Sequence, residues 1–135
     1  MSNTSKVVYN GKLRNTLEHI KSGQKFITDA PTDNQGKGEA FSPTDLVATA
    51  LASCMLTVMG IKANSMGFDL PTAEADVIKV MASSPRRISE IKVVLKMSGI
   101  EDQKTKKILE ETARHCPVAK SLSIEILQEI SFIWQ

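Results

Sequence analysis

Between Leu46 and Ile61 the chain carries no charged residue. No other feature limits the possible folds as much. The stretch lies inside SPTDLVATALASCMLTVMGIKANSMG, which reads as one long helix. Ser42 can serve as N-cap, and Pro43 suits the first helical position, where its missing N–H costs nothing. Asp45 stands three residues after Ser42, as in a capping box, and its charge suits the positive end of the helix dipole. Gly67 is the expected stop. Val47, Leu51, Cys54 and Val58 recur at helical spacing, and Leu46, Ala50, Met55 and Met59 fill much of the remaining surface. The uncharged run falls short of the roughly 20 residues that span a bilayer, and Asp45 and Lys62 close it off. It is therefore expected to be buried in protein. A helix apolar on most sides must be covered on most sides. A small domain with a short sheet can hardly do this alone, so a second subunit is the simplest cover.

The flanking segments read as strands and turns. Val7, Val8 and Tyr9 are strand formers, and Asn10-Gly11 is a hairpin turn signal. A second strand is expected from Lys12 to about Lys21, then a turn at Ser22-Gly23 and a third strand from Gln24 to Asp29. Residues 30–41, APTDNQGKGEAF, are turn formers and make a loop. After the helix, strands are expected over Ala73–Ala82 and Arg86–Met97, broken by Ser83-Ser84-Pro85. In the second of these, Ile91, Val93, Leu95 and Met97 alternate with polar residues. A helix over about Glu101–His115, a short helix in CPVAKSL and a final strand within Ser123–Trp134 complete the chain. Segregated strands and helices of this kind mean an α+β fold. The 135 residues fit a single domain over 1–135. A net charge of +2 is too small to point to nucleic acid or an anionic membrane. The first residues, MSNTSKVVYNGKL, contain no apolar core of signal-peptide length, so the cytoplasm is the expected compartment.

The chain has two cysteines and two histidines, with no CxxC or HxxxH spacing, which makes a poor zinc site. Any disulfide between Cys54 and Cys116 is expected to be transient rather than a permanent staple. Cys54, alone on an apolar helix, would ordinarily be an inert small hydrophobe. Cys116 differs, because it precedes a proline at a helix start. Its sulfur is expected near unpaired backbone N–H groups, which lower a thiol pKa, and a protonated His115 would add to this. Other polar features have plainer explanations. His19 is a structural side chain, Met55, Met59 and Met66 belong to a core, and Lys104, Lys106 and Lys107 form a solvated helix face.

FSPTDLVATALASC resembles the first signature of the OsmC/Ohr superfamily, in which a small residue, a proline and an acidic residue lead into a helix bearing a cysteine. HCPVAKSL resembles the second, a Cys-Pro followed by a small helical turn. The resemblance covers nearly the whole chain. It implies an OsmC-like α+β fold, with antiparallel strands around a long central buried helix, in an intertwined homodimer with active sites at the subunit interface. It also implies a thiol peroxidase acting on organic hydroperoxides and extending to hydrogen peroxide. Cys54 would be the peroxidatic thiolate, Cys116 would resolve its sulfenic acid into a disulfide, and an external dithiol would reduce that disulfide. No metal or organic cofactor is implied, and no nucleic acid or membrane partner.

Family members of this kind also use an arginine held by a glutamate. Arg14, in YNGKLRNTLEH, falls where the early-strand arginine is expected. The family's acidic residue lies ten positions before the first cysteine, and here that position is Thr44. Asp45 and Glu39 are the nearby carboxylates that can substitute for it. The departure suggests an OsmC-like branch rather than a typical Ohr. Two rival functions follow. One is a non-catalytic protein that binds a small apolar ligand, with the cysteines kept for packing. The other is a thiol redox sensor, although no recognisable nucleic-acid module accompanies it.

Overall fold

The computed structural model describes residues 1–135. It divides into two compact units, Met1–Val47 and Ala48–Gln135.

The first unit is an antiparallel meander of β1 (Ser5–Gly11), β2 (Arg14–His19) and β3 (Lys25–Asp29), in that order across the sheet. The first hairpin turns later than Asn10-Gly11 suggests. Gly11 pairs with Arg14, so Lys12 and Leu13 form the two-residue turn, with φ of 55° and 65°. Asn10-Gly11 instead lies at an irregularity in the register between Tyr9 and Gly11. A two-residue hairpin of type I′ needs positive φ at both central positions, which matches the twist of its strands. Here a lysine and a leucine adopt that conformation without the help of a glycine. The loop after β3 contains a 3-10 turn at Thr32–Asn34 and folds tightly back on itself. A Cβ on Gly36 would fall 1.7 Å from the Ala30 carbonyl oxygen, so only glycine fits there.

Helix α1 runs from Pro43 to Ser65 and begins as expected. The Asp45 N–H donates to Ser42 Oγ (3.1 Å) and the Ser42 N–H donates to Asp45 Oδ2 (3.0 Å), a complete capping box. Gly67, with φ of 90°, follows its last turn.

The second unit contains most of α1 with β4 (Ala73–Ala82), β5 (Arg87–Met97), α2 (Gln103–Arg114), α3 (Pro117–Ser121) and β6 (Leu127–Trp134). Its sheet has the order β4-β5-β6. β4 and β5 are antiparallel, whereas β6 runs parallel to β5. A parallel pair requires a crossover connection, which α2 and α3 supply. The alternation seen in the sequence of β5 now has its cause, because Ile91, Val93, Leu95 and Met97 are all buried. They share one core with Leu51, Met55, Met59 and Ala63 of α1 and Leu109 and Ala113 of α2. Trp134 closes the sheet on α2. Its Nε1–H donates to Glu110 Oε2 (2.7 Å), and Lys106 Nζ sits 5.7 Å from its ring centre. By length and hydropathy α1 could pass for a membrane span, but Leu51, Met55 and Met59 are fully enclosed in the protein core. Its opposite side is open, with Val47 39% and Ile61 62% exposed.

Candidate active site

The two cysteines, far apart in the chain, lie in the same core of the second unit. Cys54 is half-buried in the middle of α1, between the enclosed Leu51 and Met55. Cys116 is only 1% exposed and caps α3, as the Cys-Pro sequence suggests. Its Sγ accepts the Ala119 N–H at 3.4 Å, and Pro117 occupies the first turn. Neither cysteine is in a disulfide.

The expected lowering of the Cys116 pKa is not what this geometry produces. Burial pushes the thiol up from its ordinary value. The Ala119 N–H opposes that shift without cancelling it, and the adjoining Cys54 side chain raises it further. The Ala119 and Val118 N–H groups together do not replace the water that burial removes. His115 does not assist, since its Nδ1 bonds the Glu111 carbonyl oxygen at 2.8 Å, back along α2. Cys116 is therefore a shielded thiol whose pKa burial raises, in the core against which Cys54 packs.

The first unit contains a separate cluster of charges. Arg14 opens β2 and is the cross-strand partner of Asp29, the last residue of β3. The guanidinium forks onto the Asp29 carboxylate, with Nε–H donating to Oδ1 (2.6 Å) and Nη2–H to Oδ2 (2.7 Å). Nη2 also donates to Glu39 Oε1 (2.8 Å). The Glu39 N–H in turn donates to Asp29 Oδ2 (3.1 Å), and the Asp29 N–H donates to the Phe41 carbonyl oxygen (3.0 Å). Asp29 is 2% exposed, and the Arg14 and Glu39 side chains 30% and 64%. The Arg14 hydrogen bonds hold the Asp29 carboxyl below its usual range, and Asp29, followed by Glu39, raises Arg14.

Of the two carboxylates expected to support Arg14, Glu39 reaches it directly and Asp45 serves the helix cap. Asp29, the closest partner, went unnoticed in the sequence. Thr44 Oγ1 lies 3.3 Å from Ser42 Oγ, within the first turn of α1. His19 is structural, its Nδ1 bonding Ser22 Oγ at 2.7 Å within the β2–β3 turn.

A profile of OsmC-like proteins matches residues 36–130, from the loop before α1 into β6. The chain belongs to the OsmC-like family. No curated protein sequence matches it significantly. Among solved OsmC-like structures, one from Psychrobacter arcticus 273-4 is 53% identical and superposes with a TM-score of 0.93 over 98% of this chain and 96% of that one. That protein is provisionally described as an osmotic stress induced and detoxification response protein. An organic hydroperoxide resistance protein from Legionella pneumophila is 18% identical, with a TM-score of 0.78 over 98% and 97% of the two chains. The organic hydroperoxide resistance protein OhrB of Bacillus subtilis is 16% identical, with a TM-score of 0.67 over 96% and 98%. The last two share the fold, and their two-sheet, long-helix architecture is that of the α+β OsmC-like chain described above.

Proposed function

We propose that this OsmC-like protein is a cysteine-based peroxidase that reduces organic hydroperoxides, with Cys54 as the attacking thiol and Cys116 as the resolving one. The observation that carries this reading is that both free thiols belong to one core, Cys116 enclosed in it and the half-buried Cys54 packed against it. The family's hydroperoxide resistance proteins supply the substrate class. In the first step the Cys54 thiolate attacks the distal oxygen of the hydroperoxide. An S–O bond forms, the O–O bond breaks, and the leaving alkoxide takes a proton to become an alcohol. In the second, Cys116 loses its proton and attacks the Cys54 sulfenic acid. An S–S bond forms and water leaves. An external dithiol then reduces the disulfide by thiol exchange. The family resemblance assigns Arg14 as the cation that favours the thiolate and orients the peroxide.

The half-open side of α1 supports a homodimer in which a second copy provides the cover. The reading places this dimer in the cytoplasm, where a disulfide formed in each turnover can be reduced again. One observation favours the rival ligand-binding function. An open, mostly apolar cavity of about 690 Å³ in the first unit is lined by Gln24, Phe26, Ile27, Ala40, Phe41 and Leu46. Its size is that of a small-molecule site. The two readings differ in their dependence on sulfur.

Single-cysteine variants separate them. In Cys54→Ser the fast consumption of cumene hydroperoxide should vanish, because a hydroxyl is not ionised near neutral pH. In Cys116→Ser the first turnover should survive, and a sulfenic acid should accumulate and over-oxidise under excess peroxide. Mass spectrometry after one pulse of peroxide reads both outcomes. Full turnover by Cys54→Ser would remove Cys54 as the attacking thiol, and a wild type that leaves the hydroperoxide unconsumed would remove the peroxidase assignment and leave the ligand-binding one.

A further inference from the structure

One face of β6 breaks its own pattern. Along the strand Gln128, Ile130, Phe132 and Trp134 are the half-buried residues, alternating with exposed ones. Ile130, Phe132 and Trp134 pack against the core, as does Ile126 just before the strand. Gln128 is the one polar side chain in that row. A polar side chain set among apolar ones is costly unless it is hydrogen-bonded. A place where a sequence departs from its own pattern is also where function is to be sought.

The Gln128 amide has a specific partner. Its Nε2–H donates to the Ala119 carbonyl oxygen at 3.0 Å. Ala119 lies in α3, the turn that Cys116 caps. The carbonyls of Cys116, Pro117 and Val118 are taken up within that turn, by the Lys120 N–H, the Ser121 hydroxyl and the Leu122 N–H. The Ala119 carbonyl is the next in line, at the open end of the helix, and β6 supplies its donor. On its other side Ala119 gives its N–H to Cys116 Sγ, and the Val118 N–H also favours a charged sulfur there. The path from sheet to sulfur is therefore continuous, running from the Gln128 side chain through Ala119 to Cys116. Of the titratable groups around that sulfur, Cys54 on α1 is the one that acts on it. The His115 ring, at the end of α2, is turned to the Glu111 carbonyl.

We propose that Gln128 is the positioning residue of the resolving thiol, holding α3 from β6 so that the Ala119 and Val118 N–H groups face Cys116 as it closes the disulfide. The proposal rests on the reading of Cys116 as the resolving thiol and adds the group that holds it in place. In that step the Cys116 thiol gives up its proton and its sulfur bonds to the Cys54 sulfur. The S–O bond of the sulfenic acid breaks, and the oxygen leaves as water. The sulfur that loses the proton is enclosed, so bulk water cannot stabilise its charge. Fixed N–H groups are the available substitute, and they act only while the turn that carries them is held.

The test follows one turnover of the reduced protein with one equivalent of cumene hydroperoxide, across pH. Quenched samples are read by mass spectrometry for thiol, sulfenic acid and disulfide. The wild type is compared with Gln128→Met, which suits the apolar row and has no donor, and with Gln128→Glu, which keeps the length and has no donor once ionised. Cys116→Ser is the control. In Gln128→Met the sulfenic acid should form at the wild-type rate, while the disulfide should close at least about tenfold more slowly, the scale of effect expected when a reacting group is slightly misplaced. Closure should also need a higher pH than in the wild type, because the thiolate has lost the support of the turn. Gln128→Glu should close as slowly as Gln128→Met at neutral pH. Under excess peroxide both variants should over-oxidise at Cys54 more than the wild type does. Wild-type closure in either variant would overturn the proposal. So would equal slowing of both steps with an unchanged pH profile, which is what a general loosening of the fold produces. Should Gln128→Met fail to fold, Gln128→Glu decides on the same two rates. A Cys116→Ser protein that accumulates no sulfenic acid, beside a wild type that forms no disulfide, would overturn the reading of Cys116 itself and the proposal with it.

Discussion

At Cys116 a helix start and an enclosed position act in opposite directions on one sulfur, and burial wins. The outcome suits a resolving thiol. A protonated, shielded sulfur does not compete for peroxide, and it becomes useful only once its neighbour has been oxidised. Cys54 is half-buried and so open to a small oxidant. Asp29 is the charged counterpart of this economy of contacts, and its effect on stability has a defined pH window. Its carboxyl is held below the ordinary value of 3.8 in the folded protein. A depressed carboxyl contributes stability that is fully present above the unfolded-state value and is lost as pH falls through the folded-state one. The gap in melting temperature between wild type and Asp29→Asn should therefore be steady from neutral pH down to about pH 4 and shrink on further acidification. A gap of the same size at pH 7 and pH 2 would show that the pair contributes no linked stability.

The hairpin of β1 and β2 is where local signals and the folded chain part company. Lys12 and Leu13 occupy left-handed conformations that each cost an L-residue free energy, directly before Arg14. Replacing them together, as Lys12→Asn/Leu13→Gly, should stabilise the protein by about 1 kcal/mol in urea unfolding. An unchanged or lower midpoint would mean that the turn is not strained. Asn10-Gly11 pointed to the wrong pair because a turn motif marks where a bend is cheap, while register is set by both strands. The same limit hid Asp29. A turn at Ser22-Gly23 would have paired β2 and β3 in another register. The turn is longer, closing with the His19 N–H on the Gln24 carbonyl oxygen, and that places Arg14 opposite Asp29. By contrast α1, its capping box and its glycine stop were fully legible, because each depends on residues within one or two helical turns. The alternation of β5 was legible for a similar reason, since one side of the strand faces one core. That β6 joins parallel to β5 was not, because the crossover through α2 and α3 is a property of tertiary packing rather than of any segment.

For the molecule as a whole, the unfinished surfaces are as informative as the core. Val7, Val8 and Tyr9 along β1 are 58%, 47% and 63% exposed, and Val47 and Ile61 lie open on α1. A chain of this size rarely leaves a strand and a helix so bare unless something covers them. The account predicts an obligate homodimer with an interface above about 2,000 Å² in total, the range of permanent pairs. Sedimentation at micromolar concentration should show only the dimer, and a folded monomer there would contradict it.

The family and fold stand on the match to OsmC-like proteins, and the chemistry stands on sulfur. Its most direct test is a count of free thiols on the reduced protein before and after one equivalent of cumene hydroperoxide per chain. The account predicts rapid loss of both thiols, recovery of both with a dithiol, and a single new cross-link between the peptides bearing Cys54 and Cys116. Two thiols still free after the peroxide has been added, or oxygen adducts confined to Cys116, would contradict it.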